Sequence, residues 1–262
     1  MKKIIPFIIL LQLFIVYPFS ISAQDLPRSI HVLVALCDNI NQGIVPVPAS
    51  LGNGQNPRQN LYWGALYGVK TYFKKASEWK LIKTIKNPNQ HILERCIFKK
   101  TGSNIFLVAD AYDGARIVNT ITDLIKSSNG SLGATININN HKIGIYGNSN
   151  LLAYIGHNGL MDFKLPSLKL QKSGTSKDII VLACKSRSYF EPIIQKTGAN
   201  PLLLTKGFMA PEAYTLKAAI DGWALNEKNE EIRLRAAKAY QKYQKISFKG
   251  ANSIFYTYNQ SL

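Results

Sequence analysis

Five short apolar runs recur along the chain at residues 30–36, 105–109, 151–155, 178–183 and 201–204, the first of them rich in β-branched residues. Each has the length of a buried strand and is too short for a typical globular helix. Segments with helical spacing separate them. Leu61, Ala65, Leu66, Val69 and Phe73 predict a helix over 60–75, and Ile117, Ile121, Leu124 and Ile125 predict another over 115–127. Further helices are expected at 190–196, 211–225 and 230–245. Strands that alternate with helices imply an α/β fold: a mostly parallel sheet covered by helices on both faces. Residues 79–85 and 91–98 read as two more strands turned about Pro88, and 142–146 as another. Residues 131–140 are left open between strand and loop. The segment 38–60 is rich in Gly, Pro and Asn and long for a connection, a property of functional or disordered loops. No internal repeat or domain boundary is evident. Residues 24–262 are therefore expected to form a single α/β domain, with a C-terminal helical extension over about 226–262.

The first 23 residues are set apart from that fold. Lys2 and Lys3 precede an almost wholly apolar stretch, which closes on Ser20, Ile21, Ser22 and Ala23. That is the pattern of a signal peptide over 1–23, and it implies export to the periplasm or the extracellular space. An uncleaved anchor is the other reading, since about 20 apolar residues can span a bilayer. Pro6, Pro18 and the polar close favour cleavage. The formal net charge of +17 falls to +15 once Lys2 and Lys3 are removed. Such a field attracts anions, including an anionic envelope component. The basic residues are dispersed and no nucleic-acid motif accompanies them, so no specific nucleic-acid partner is expected. Of the three cysteines, Cys37 and Cys96 could form a disulfide that leaves Cys184 free, or all three could be buried thiols; spacing does not decide. No His/Cys/Asp cluster has metal-ligand spacing, and no cofactor motif is present; the Gly52–Asn53–Gly54 turn lacks the ending of a phosphate loop. The aromatic residues Tyr62, Trp63, Tyr67 and Tyr72 read as core packing. Nothing in the sequence sets the oligomeric state.

In open α/β sheets, chemistry gathers beyond the carboxyl ends of the strands. The runs of this chain deliver Cys37 and Asp38, Asp110, His157, and Cys184 at those ends. If the strands opening at Leu151 and Asp178 are parallel neighbours, His157 and Cys184 emerge side by side, each six residues after its strand start. His31, His91 and His141 begin strands and lie at the wrong end. A general base must reach its nucleophile, and a thiol attacks well only as thiolate. His157 and Cys184 are therefore the candidate base and nucleophile, with Cys37 the rival nucleophile.

Tyr154-Ile155-Gly156-His157-Asn158-Gly159 and Ile179-Ile180-Val181-Leu182-Ala183-Cys184-Lys185-Ser186 resemble the histidine and cysteine blocks of the caspase-like cysteine peptidases, the clan of legumains, clostripains, gingipains and separases. The resemblance implies a three-layer caspase-like sandwich over about 29–225. It implies His157 as general acid/base, Cys184 as nucleophile, and an oxyanion hole from the N–H of Cys184 with Gly159 or the backbone of Asn158. In that clan the glycine follows the histidine directly, whereas here Asn158 intervenes. By the same resemblance Asp38, at the end of the first strand, lines the pocket for the substrate residue before the cleaved bond and favours Lys or Arg. Asp162 and Glu191 are further contributors, and a turn-capping role is the other reading of Asp38. The expected activity is a secreted or periplasmic cysteine endopeptidase acting on peptide or protein substrates. The alternative is a non-catalytic exported scaffold of the same fold, whose basic surface engages envelope polymers.

Overall fold

The computed structural model describes residues 27–170, 174 and 177–258. Segment 1–23, expected to be a signal peptide, lies outside the described residues. Eight strands form one mixed sheet. Its core is parallel: β1 (Arg28–Ala35) lies between β4 (Ile105–Tyr112) and β7 (Leu151–Ile155), and β7 continues to β8 (Asp178–Leu182) and β9 (Asn200–Thr205). Antiparallel strands close both edges. β2 (Trp79–Asn89) and β3 (Ile92–Lys100) extend the sheet beyond β4, and the two-residue β10 (Phe255–Tyr256) lies beyond β9. A separate hairpin of β5 (Gly133–Ile138) and β6 (His141–Tyr146) resolves the open reading of 131–140 as strand.

The period-two alternation of the strands divides the core between two faces. Ile30, Val32 and Val34 of β1 pack with Ala153, Ile155 and Leu182 beneath α1 (Val69–Lys75), α4 (Ala213–Ala224), α5 (Asn229–Gln244) and α6 (Phe248–Ile254). Leu33 and Ala35 pack with Tyr154 and Val181 beneath α2 (Ile117–Ser128), α3 (Ser186–Thr197) and the hairpin. The architecture is thus α/β, with six helices among the described residues and helices on both faces of a mostly parallel sheet. The C-terminal segment is built into this core. Ile232, Ala236, Ala237, Tyr240 and Ala251 are buried beneath α4 and the sheet, and Phe255 joins the sheet edge. Among the described residues no helix is long and apolar enough to cross a membrane.

The expected helix over 60–75 is realised only from Val69. Residues 60–68 are successive turns, in which the N–H groups of Trp63, Gly64 and Ala65 all bond the Asn60 carbonyl. A side chain at Gly64 would put its Cβ 2.0 Å from the Arg58 carbonyl oxygen, so the backbone folds onto itself there. Two glycines within nine residues also cost a helix about 1 kcal/mol each. Of the spaced residues in that stretch Leu66 is exposed and Leu61 and Ala65 are half-buried; the turns instead bury Trp63 completely.

The protein also buries a charged network under the hairpin. Asp110, fully buried, takes Nε and Nη2 of Arg95 at 2.6 and 2.7 Å and Nε2 of His31 at 2.9 Å. The backbone N–H of Tyr146 donates to His31 Nδ1 at 2.9 Å. Nδ1 therefore accepts, and the imidazole proton lies on Nε2, facing the carboxylate. Burial opposes ionisation of Asp110, yet the bonds from Arg95 and His31 hold its carboxyl below the ordinary range.

Candidate active site

β7 and β8 are parallel neighbours with Leu151 opposite Asp178 and Ile155 opposite Leu182. The ladder runs on through the Gly156 N–H, which bonds the Leu182 carbonyl at 3.4 Å. His157 and Cys184 are the second residues past these paired ends. Cys184 touches Met209 of the core cluster beneath α4 and α5, whereas a bend after Ile155 carries the His157 ring to Asp162. Gly156 is required at the bend. It has φ of +151° and its Cβ would lie 2.9 Å from the Ala35 carbonyl oxygen.

Three contacts fix the histidine loop. The Tyr154 hydroxyl donates to the His157 carbonyl at 2.7 Å. The Asn158 amide donates to the Cys184 carbonyl at 2.6 Å, tying the two loops together directly. Asp162 Oδ2 meets His157 Nε2 at 2.6 Å and also accepts the Gly43 N–H at 3.2 Å. A carboxylate on Nε2 places the ring proton there and leaves Nδ1 as the acceptor nitrogen. Sequence reasoning named Asp162 only as a pocket residue. Its proximity comes from the 3₁₀ turn Gly159–Met161, which brings a residue five positions on back over the ring. That turn is nucleated by the Asn158 side chain, which accepts the Leu160 N–H at 3.2 Å.

Cys184 follows β8 and precedes α3. Its turn is clamped from β9: Thr205 Oγ1 accepts the Ser186 N–H at 3.1 Å and bonds the Ala183 carbonyl, while Ser186 Oγ donates to the Val181 carbonyl at 2.8 Å. Lys185 adopts left-handed φ of +50° to make the turn. Cys184 is partly exposed. Its sulfur accepts the Met209 N–H at 3.4 Å and its thiol donates to the Met209 carbonyl at 3.5 Å.

The remaining expected residues are placed as follows. The Gly159 N–H bonds the His157 carbonyl at 3.1 Å, which engages the donor expected at the oxyanion hole. Asp38 is buried, and its carboxylate accepts the N–H groups of Ile40 and Asn41 and the amides of Asn41 and Gln55. Burial would raise its pKa, but these four donors hold it below the ordinary value. The turn-capping reading accounts for the bonds within residues 38–41, and Gln55 reaches the carboxylate from across the loop. Glu191 pairs with Arg187 on α3.

All three thiols are free. The register sets Cys96 opposite Ala109, which faces Val32, five residues before Cys37. That is about 16 Å along the strands, beyond the reach of a disulfide. Cys37 is fully buried beside the Tyr62 hydroxyl, and burial pushes its thiol up to about 11; burial pushes Cys96 up to about 12. At pH 8 a small electrophile is therefore expected to modify Cys184 alone in the folded protein and all three cysteines in denaturant, as read by intact mass and peptide mapping. Among the described residues, no group of three or more His, Cys, Asp or Glu side chains is placed to hold a metal ion.

Comparisons with family models, with curated proteins and with solved structures gave no match for this chain.

Proposed function

We propose that the protein is an exported cysteine endopeptidase of caspase-like fold, in which His157 and Cys184 form the catalytic pair and Asp162 orients the histidine. The observation that carries this reading is the in-register exit of His157 and Cys184 from adjacent parallel strands, with a carboxylate on His157 Nε2. In the proposed reaction, Nδ1 of His157 takes the thiol proton as Sγ attacks the substrate carbonyl carbon. The N–H groups of Asn158 and Cys184 receive the oxyanion. The imidazolium then returns the proton to the leaving amine as the C–N bond breaks. Water, deprotonated by the same imidazole, hydrolyses the thioester.

The test is cleavage of a mixed peptide library by the chain lacking residues 1–23, with products sequenced. Peptide-bond cleavage that disappears in Cys184→Ala and persists in Cys37→Ala supports the proposal. Cleavage that survives in Cys184→Ala refutes it. Asp162→Asn is expected to lower kcat/KM about 10- to 100-fold and to alter the pH profile, because the amide offers either a donor or an acceptor to Nε2 and no longer fixes the tautomer. A loss with an unchanged profile would make Asp162 merely structural.

A second reading is favoured by the Met209 contacts, which engage the thiol from the segment 206–210. On that reading the fold is a non-catalytic exported scaffold, its basic surface binding an anionic envelope component. It predicts no cleavage in the library and no effect of His157 on Cys184.

A further inference from the structure

On the far side of the Cys184 turn, at the β10 edge of the sheet, α5, α6 and the end of β9 enclose an open cavity of about 470 Å³. Lys206, Arg233 and Lys249 line it, with Glu230, Asn252 and Tyr256. Arg233 is fixed: Nε and Nη2 bond Glu230 at 2.8 and 2.5 Å, and Nη1 bonds the Asn252 carbonyl and side chain at 3.1 and 2.6 Å. Glu230 is thereby neutralised. Lys206 and Lys249 are exposed, and among the described residues neither has a carboxylate partner. The cavity thus carries two uncompensated positive charges beside a preset guanidinium, over the ring of Tyr256 on an edge strand. Arg187 stacks on that same ring at 3.8 Å.

The cavity is also connected to the candidate nucleophile. Lys206 directly follows Thr205, which clamps the Cys184 turn. The Lys206 N–H bonds the Ile254 carbonyl at 2.7 Å, and the next carbonyl, that of Gly207, accepts the Lys185 N–H at 2.8 Å. Two residues further on, Met209 touches the sulfur. Lys185 adds a further cation, at 4.4 Å over the exposed ring of Phe208. A basic strip therefore runs from the Cys184 turn to the cavity, whereas the His157 side carries the carboxylates Asp162 and Asp38.

We infer that this cavity is an exosite for an acidic peptide segment. Two or more carboxylates fit its charge, and an edge strand offers backbone pairing to an extended chain, which a glycan cannot use. That the segment belongs to a substrate rests on the peptidase proposal; the binding itself does not.

The test uses the chain lacking residues 1–23 and carrying Cys184→Ala, so that no turnover is needed. A short fluorescein-labelled poly-glutamate peptide and its poly-glutamine counterpart are titrated by fluorescence anisotropy. Poly-glutamate is expected to bind, and poly-glutamine to bind far more weakly. Lys206→Gln with Lys249→Gln is expected to weaken poly-glutamate binding about tenfold, about 1.4 kcal/mol. Lys80→Gln with Lys83→Gln, on the opposite edge strand β2, is expected to leave it unchanged. Equal losses in both pairs would reduce the effect to the diffuse charge of the chain and overturn the inference. So would a sulfated polysaccharide that binds more tightly than the peptide and is weakened by the same cavity pair, since that would assign the site to envelope glycans. Failure of Cys184 to react with electrophiles would refute the peptidase and leave the binding result to stand by itself.

Discussion

Asp110→Ala is expected to cost about 3–5 kcal/mol of folding stability, the range found when one partner of a buried ion pair is removed. The substitution strands three donor groups on two side chains at once. Arg95 is 7% exposed and His31 is fully buried, so neither can turn to water for a replacement bond. Domains of this size are stable by about 5–15 kcal/mol, so the variant is expected to be marginal, as read by urea melts. By contrast, Arg235→Gln removes an exposed partner of Glu227 and is expected to change little. The acid limb of stability carries the same signature. The native carboxyl of Asp110 is depressed, so its contribution is complete above the unfolded value of about 3.9 and is lost as pH falls below it toward the native value. Stability of Asp110→Ala is therefore expected to fall less steeply between about pH 5 and pH 3 than that of the natural chain. Parallel curves would show that the network contributes no proton linkage.

His157→Ala is expected to lower kcat/KM for peptide cleavage about 10²- to 10⁴-fold, the usual contribution of a positioned acid–base group, with the folded state retained. Retention follows from the contacts. The imidazole is bonded to Asp162, whose side chain is one-third exposed, whereas the loop itself is held by the His157 carbonyl and the Asn158 side chain, which the substitution leaves in place. His31→Ala should do the reverse: it removes a bond from a buried carboxylate remote from the thiol and so lowers stability more than the chemical rate constant.

The sheet was legible because buried parallel strands write themselves as unbroken apolar runs. The runs at 105–109, 151–155, 178–183 and 201–204 match β4, β7, β8 and β9 to within a few residues at either end. The in-register exit of the His157 and Cys184 loops from neighbouring strands is legible in the equal spacing to the strand starts, because parallel pairing carries no offset between Leu151 and Asp178. What could not be read depends on turns and on contacts distant in sequence. The loop 38–60 is ordered by side chains that bond backbone across it: Asn60 to both polar groups of Cys37, and Asn39 to Val47. Asp162 reaches His157 only because Asn158 nucleates a 3₁₀ turn, and no spacing rule marks that. The edge strand β10 is two residues long and carries no alternation to detect. Arg95, His31 and Asp110 are distant in sequence and meet only through the register of β3, β4 and β1.

The central claim, that His157 activates Cys184, is tested most directly by the rate of alkylation of Cys184 from pH 5 to pH 9 in the natural chain and in His157→Ala. The account predicts that at pH 6 the natural chain reacts at least about tenfold faster than the variant, because the imidazole removes the thiol proton, and that the two rates converge as the solution becomes basic enough to do so unaided. Rates that superimpose at every pH would contradict it: Cys184 would be an ordinary thiol, and the scaffold reading would replace the peptidase.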